Sequence, residues 1–302
     1  MRQEFYSNGK LLLTGEYAVL DGAKALALPT KYGQVLTVEP TQTKTISWKS
    51  LDKDGKVWFK AEFHSETMEE MGSTDAKISK TALEILVETK HICPDFLIAG
   101  KGFSLTTQLT FPKDWGLGSS STLINNIAQW AHIDPYPLLK NTFGGSGYDI
   151  ACAQYDTPIT YQLDGDSPIV EKVDFNPDFK TQLFFVYLNK KQNSREGISD
   201  YRNQTFNKKE LVRVIGDLTS KIVACTDITT FETLLNLHES VISRILQIPS
   251  VKHELFPDYP RAIKSLGAWG GDFILAVGDP NLMRYFSKKG YHTIVPYSEM
   301  IL

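Results

Sequence analysis

Asp114-Trp115-Gly116-Leu117-Gly118-Ser119-Ser120-Ser121-Thr122 decides how the rest of this chain is read. The alternating run from Phe103 to Phe111 before it predicts a strand, and Leu123, Ile127, Trp130 and Ala131 after it recur at helical spacing. A strand, a glycine turn and a helix start in that order gather backbone N–H groups at the positive end of a helix dipole, which suits a phosphate. Glycines at 116 and 118 let the main chain approach an anion with no Cβ in the way. Three consecutive serines add short donors and an oxygen ligand for Mg2+. Read alone, the same run also describes a loop with a serine N-cap. It is neither GxxxxGK[ST] nor GxGxxG, which sets aside the P-loop and Rossmann phosphate sites.

Length and composition bound the rest. A chain of 302 residues is long for one core and points to two domains. A formal charge of −3 gives no reason to expect nucleic acid or an anionic membrane surface as partner. Cys93, Cys152 and Cys225 lie far apart and outside any CxxC spacing, so they read as reduced thiols of a cytoplasmic protein. No basic segment leads an apolar stretch at the N-terminus, and no run of about 18 apolar residues occurs, so neither export nor a membrane span is expected. The histidines show no HxH or HExxH spacing, which argues against zinc.

Lys10 to Leu20 is apolar enough for a buried strand edged by Lys10 and Glu16; Asp21-Gly22 signals a turn, and Ala25 to Leu28 resumes the run. Both charged residues are of the kind that snorkel or pair at a surface unless an anion lies nearby. Val35 to Val38 continues in β style, followed by a hairpin of Thr45–Leu51 and Val57–Phe63 around Asp52 to Gly55. Residues 64–72 read as a loop, and Ser73 as the N-cap of a helix carrying Ile78, Ala82, Ile85 and Leu86 on one face. After Asp134-Pro135 opens a short helix, Phe143-Gly144-Gly145-Ser146-Gly147-Tyr148-Asp149-Ile150-Ala151 reads as a tight turn that either aims one acid or caps a helix.

Turn-rich sequence at 165–180 marks a boundary, after which Leu183 to Leu188 restarts the apolar pattern. Helices over Lys208–Ala224 and Thr229–Leu246 follow, with His238 on the apolar face of the second as a core histidine. A short helix near 260, the glycine-rich Gly267 to Asp272, a strand Phe273–Val277, a helix from Pro280 and a strand from Thr293 close the chain. The order of elements predicts an α+β fold.

Four segments now share one explanation. Gly9-Lys10-Leu11-Leu12-Leu13-Thr14-Gly15-Glu16-Tyr17-Ala18-Val19, Gly116-Leu117-Gly118-Ser119-Ser120-Ser121, Gly145-Ser146-Gly147-Tyr148-Asp149-Ile150-Ala151 and Lys264-Ser265-Leu266-Gly267-Ala268-Trp269-Gly270-Gly271-Asp272 resemble, in order and spacing, the motifs of the GHMP kinases. That family comprises galactokinases, homoserine kinases, mevalonate kinases and phosphomevalonate kinases. Within it the chain is most similar to phosphomevalonate and mevalonate kinases, and Gly15-Glu16-Tyr17, where mevalonate kinases typically carry GEH, Gly147-Tyr148-Asp149 and Gly271-Asp272 are similar to the phosphomevalonate kinases. The resemblance implies an N-terminal ATP-binding domain over 1–172 with a left-handed βαβ crossover. It also implies a C-terminal ferredoxin-like domain over 173–302, with the active site in the cleft between them.

It further implies an ATP-dependent transfer of a phosphoryl group to phosphomevalonate or mevalonate in isoprenoid biosynthesis. Gly116, Leu117, Gly118, Ser119, Ser120 and Ser121 would hold the phosphates of ATP, with Ser120 a ligand of Mg2+. Asp149 would take or orient the acceptor's hydroxyl proton, and Lys10 beside it would keep that carboxylate ionised and stabilise the transferring group. Glu16, Ser146, Gly147, Gly270 and Gly271 would contact substrate, and Arg195 in the polar loop Asn193-Ser194-Arg195-Glu196-Gly197 would either meet a substrate phosphate or be solvated. The expected partner is a small molecule, with no nucleic acid or membrane, for a monomer or homodimer.

Three departures from the family pattern stand out. Ser121-Thr122 replaces the alanines of GLGSSAA; Trp269 stands where a glycine is usual, placing an indole at the cleft; and Leu138, Leu139 and Lys140 occupy the zone of a metal-binding glutamate. The alternative readings are a diphosphomevalonate decarboxylase of the same fold, whose corresponding loop the stretch Asn193-Ser194-Arg195-Glu196-Gly197 also resembles, and a nucleotide-binding homologue without catalysis, suggested by Trp269 and the absent glutamate.

Overall fold

The computed structural model describes residues 1–97 and 101–302, and the chain divides into two compact units that do not follow chain order. The first comprises Met1–Gly9, Tyr32–Lys113 and Leu117–Gln154; the second comprises Lys10–Lys31, Asp114–Gly116 and Tyr155–Leu302. Two long paired strands, β1 (Gln3–Thr14) and β2 (Ala25–Thr41), run through both.

In the first unit, β3 (Thr45–Leu51) and β4 (Val57–His64) form the expected hairpin, and Asp52 Oδ1 accepts from the Asp54 and Lys56 amides, both at 2.9 Å. β5 (Glu70–Ser73) lies antiparallel on β4, where the sequence predicts loop. All four of its residues are exposed, so main-chain pairing alone makes the strand and no apolar pattern announces it. Ser73 belongs to that strand and donates to Glu70; α1 (Ala76–Ile92) is instead capped by Asp75, which accepts from the Lys77 and Ile78 amides.

β6 (Gly102–Leu109) pairs parallel with β3 and antiparallel with β2, giving the mixed order β5-β4-β3-β6-β2. α2 (Ser119–Ala131), α3 (Pro135–Thr142) and α4 (Tyr148–Gln154) complete the unit. Alternate strand residues Leu36, Val38, Ile46, Trp48, Phe59, Phe63 and Leu105 pack on Ile85, Leu86, Ile124, Ile127 and Leu138 of the helices. Each such side chain contributes roughly 1.5–3 kcal/mol on burial. That core fixes where the first turn of α2 sits.

In the second unit, β7 (Ile159–Asp164) pairs with the Ala25–Ala27 stretch of β2 and with β8 (Ser167–Lys172). There follow β9 (Leu183–Tyr187), α5 (Ser194–Asn203), α6 (Lys208–Val223), α7 (Ile228–Leu246), α8 (Val251–Leu255), β10 (Ile263–Ser265), β11 (Phe273–Val277), α9 (Arg284–Lys288), β12 (Ile294–Pro296) and α10 (Tyr297–Met300). The order β10-β11-β9-β12 is antiparallel throughout. It is the βαββαβ ferredoxin-like arrangement. One face of β9, Phe184 and Val186, packs with Ile274, Phe256 and Phe286; on the other, Phe185 stacks on Tyr297.

Four sequence expectations in this unit are corrected. The apolar run from Lys10 does not extend to Leu20: β1 stops at Thr14, and a 3-10 turn spans Ala18–Asp21. Gly15 at φ +89° breaks the strand, and a Cβ there would lie 2.5 Å from the Ala25 Cβ. Arg195 is on a helix rather than in a loop; α5 escapes a periodicity reading because only Tyr201 of its ten residues is buried. The helix expected near 260 lies at Val251–Leu255, and α9 starts at Arg284, after Asp279 Oδ1 has accepted from the Asn281 and Leu282 amides in a turn.

Candidate active site

The first unit places an uncapped helix start next to a carboxylate. Gly118, at φ +85°, is the N-cap of α2 and has no side chain to satisfy the helix, whose first internal bond runs from the Thr122 amide to the Gly118 carbonyl at 3.0 Å. The amides of Ser119, Ser120 and Ser121 therefore form an uncapped positive helix end. Ser120 is exposed, Ser119 half-buried and Ser121 buried. Ser121 Oγ donates to Asp149 Oδ2 at 2.7 Å. Asp149 opens α4, behind Ser146 and a Gly147 whose carbonyl accepts from the Ile150 and Ala151 amides. Thr122 turns its hydroxyl to Gln34 Oε1 at 2.8 Å. The two hydroxyls that replace alanines are thus both engaged.

The second unit holds Lys10, Gly116, Glu16, Arg195, Gly270 and Gly271. Half-buried Lys10 donates from Nζ to the Gly116 carbonyl at 3.1 Å. Against the same glycine lies Asp272, held by the Gln192 amide at 3.2 Å. Burial pushes the Asp272 carboxyl up, against the pull of Lys10. Sequence reasoning gives Asp272 no role; its only signal is an acid closing a glycine run. Tyr187 donates to Asp114 Oδ2 at 3.1 Å, and burial with that carboxylate beside it raises its hydroxyl to about 12. Arg195 and Gly270 are exposed, whereas Gly271 is packed on the 190–192 backbone, where a Cβ would lie 2.9 Å from the Lys190 carbonyl oxygen. Trp269 is 3 % exposed and its indole N–H has no hydrogen-bond partner.

Gly116 has φ +68°, and a Cβ on it would lie 2.3 Å from the Asp272 carboxyl carbon. Gly116→Ala is expected to destabilise the protein by about 1–3 kcal/mol through clash and left-handed strain, as urea unfolding would show.

Glu16 lies in a buried charge cluster. Its Oε1 accepts from Lys264 Nζ, which also lies 3.1 Å from Glu239 Oε1, and Ser265 Oγ donates to Glu239 Oε2 at 2.8 Å. His238 Nε2 accepts from the Gly15 amide at 3.0 Å and lies 3.5 Å from Glu16 Oε2. That bond fixes the neutral imidazole with its proton on Nδ1, and burial, aided by Lys264, holds its pKa well below 6.5. Burial raises Glu16 from 4.5 to about 7 despite Lys264, and raises Glu239 too. Lys264 is pulled down by burial but lifted further by Glu16 and Glu239, so it ends above 10.5. One ammonium thus faces two buried carboxyls, and burial favours the protonated form of each.

A carboxyl whose pKa is higher folded than unfolded favours the fold fully below its unfolded value and loses that advantage as pH rises through the folded one. For Glu16 the window runs from 4.5 to about 7. At 1.36 kcal/mol per unit this is about 3 kcal/mol. Glu16→Gln, which cannot ionise, should therefore gain about that much relative to the parent across the window, measured by denaturant unfolding at its two ends.

The residues present suit ATP with Mg2+. The uncapped amides of α2, behind Gly118 at positive φ, are of the kind that suits phosphate oxygens. Among the described residues no cluster of three His, Cys, Asp or Glu could hold a metal. Exposed Ser120 would then be the protein's own ligand, which Mg2+ tolerates because it keeps waters and phosphate oxygens. No helix among the described residues is long and apolar enough to cross a membrane.

No family model matches the chain, and no curated protein matches it by sequence. Solved structures do match. The mevalonate kinase of Methanococcus jannaschii superposes with a TM-score of 0.70 at 17 % identity, over 97 % of each chain. This chain has the GHMP kinase fold. Streptococcus pneumoniae phosphomevalonate kinase, in complex with phosphomevalonate and AMPPNP, matches at 0.67 and 14 % identity over 97 % of this chain and 99 % of that one. A mevalonate diphosphate decarboxylase from Legionella pneumophila matches at 0.60 and 14 % over 98 % and 100 %. At such identities the GHMP kinase likeness establishes the fold, while the acceptor rests on the site's own chemistry.

Proposed function

We propose that the chain is an ATP-dependent small-molecule kinase that transfers the γ-phosphoryl group to an alcohol or phosphate monoester of mevalonate-pathway type, phosphomevalonate or mevalonate. The observation that carries this reading is the side-by-side placement, in one unit, of an uncapped helix N-terminus and a carboxylate: Ser121 Oγ to Asp149 Oδ2, 2.7 Å. Phosphoryl transfer asks a protein mainly to hold phosphates, neutralise their charge and orient a hydroxyl. The amides from Gly118 to Ser121 do the first, and Asp149 takes the acceptor's hydroxyl proton as that oxygen bonds to the γ-phosphorus and ADP departs.

Mg2+, which Ser120 would hold, would supply neutralisation of the phosphate charge. Lys10, poised at the Gly116 carbonyl, adds positive charge for the transferring group. Exposed Arg195 at the first turn of α5 suits a phosphate on the acceptor, with Ser146, Gly147, Gly270 and Gly271 as further acceptor contacts. Glu16, bonded to Lys264, acts through the turn it supports and not by touching substrate.

The test is a coupled ADP-release screen against mevalonate, 5-phosphomevalonate, 5-diphosphomevalonate, homoserine and simple sugars, with CO2 measured in parallel. Acceptor-dependent ADP without CO2 is expected. CO2 from the diphosphorylated acid would make the chain a decarboxylase, and nucleotide binding without consumption would make it a catalytically silent homologue.

A further inference from the structure

Ser121 stands where the family pattern carries alanine, and its hydroxyl has no need to be spent on its own helix. A serine in a first turn commonly bonds back to nearby main chain. Here the side chain is 4 % exposed and sends its proton to Asp149 Oδ2 instead. Four residues on, on the same face of α2, Asn125 is 1 % exposed and its Oδ1 accepts from Gln154 Nε2 at 3.2 Å. α4 is therefore tied to α2 by a polar bond at each end, Asp149 at its start and Gln154 at its finish. Apolar Ile124 and Ile150 are fully buried in the shared core. A seven-residue helix after a run of glycines has little rigidity of its own. The two ties supply it.

From this placement we infer that Ser121 is a positioning residue for Asp149: it fills one carboxylate oxygen, fixes the carboxylate plane and leaves Oδ1 to meet the acceptor hydroxyl. The inference rests on the kinase reading above. It assigns Ser121 to the acid rather than to the nucleotide, although its backbone lies in the α2 turn proposed to hold the phosphates. A charge-assisted bond of this kind is of the strength that costs about tenfold in rate when removed from a group acting only in the transition state.

The experiment measures kcat, KM for ATP and acceptor, and ATP affinity by calorimetry, for the parent, Ser121→Ala, Ser121→Thr and Ser121→Cys. Turnover by the parent is read first. If it consumes no ATP with any acceptor, the kinase reading falls and the role of Ser121 with it. With an active parent, Ser121→Ala should lose about tenfold in kcat with ATP affinity within twofold, and Ser121→Thr, which keeps the hydroxyl, should recover most of that loss. Should Ser121→Ala fail to fold, Ser121→Cys, which offers only a weak S–H donor, should show an intermediate loss in kcat alone. An unchanged kcat, a loss carried by KM or ATP affinity, or a loss that threonine does not restore would each overturn the assignment while leaving the kinase reading intact.

Discussion

Asp149→Asn is expected to lower kcat by roughly 10²–10⁴-fold, the usual contribution of a general base, with ATP affinity held within a few-fold. Asparagine keeps the shape of the side chain and an oxygen able to accept from Ser121 Oγ, so the tie between α2 and α4 persists. What goes is the negative charge and the capacity to take a proton. Asp149 is not one of the α2-turn amides proposed to hold the phosphates, so nucleotide binding should not follow the rate down. Steady-state kinetics with calorimetric ATP titration separates the two. Unaltered ADP formation in the variant would remove Asp149 from the chemistry.

Lys264→Met should be the most damaging single change to stability, by about 3–5 kcal/mol, because it strands buried carboxyls without their cation. Lys264, Glu16 and His238 are fully buried and Glu239 is 5 % exposed. The cluster joins β10, α7 and the turn after β1, so its collapse would reach Gly15 and the Lys10 strand. Adding Glu16→Gln and Glu239→Gln to Lys264→Met should restore part of the loss, since a neutral buried group costs far less than an unpaired charge. Urea unfolding of the single and triple variants checks this. A loss under about 1 kcal/mol for Lys264→Met would mean that the carboxyls are neutral or hydrated without it.

Much of the first unit was legible because its signals are local. Asp52 to Gly55 fixes a hairpin, Asp134-Pro135 starts a helix, and alternating residues such as Ile46 and Trp48 face one core. The α2 turn was legible for the same reason, with glycine, glycine and hydroxyls in sequence. β5 and α5 were not, since neither buries enough side chain to print a period. Tyr17 to Leu20 misled because an apolar run reads the same in a strand and in a buried 3-10 turn. The partners of Glu16 were invisible: Lys264 and Glu239 stand more than two hundred positions away, and no residue type announces which acid a distant lysine will meet. Asp272 hid in the same way, being placed over Gly116 only by the return of β11 beside β9.

The most direct measurement is 31P NMR of the purified protein with ATP, Mg2+ and the acceptor found in the screen, following the γ-phosphate itself. The γ resonance of ATP is expected to decay as ADP and a new phosphomonoester or diphosphate resonance on the acceptor grow at the same rate. A γ-phosphate appearing instead as inorganic phosphate with release of CO2, or an ATP spectrum unchanged with every acceptor, would contradict the kinase reading.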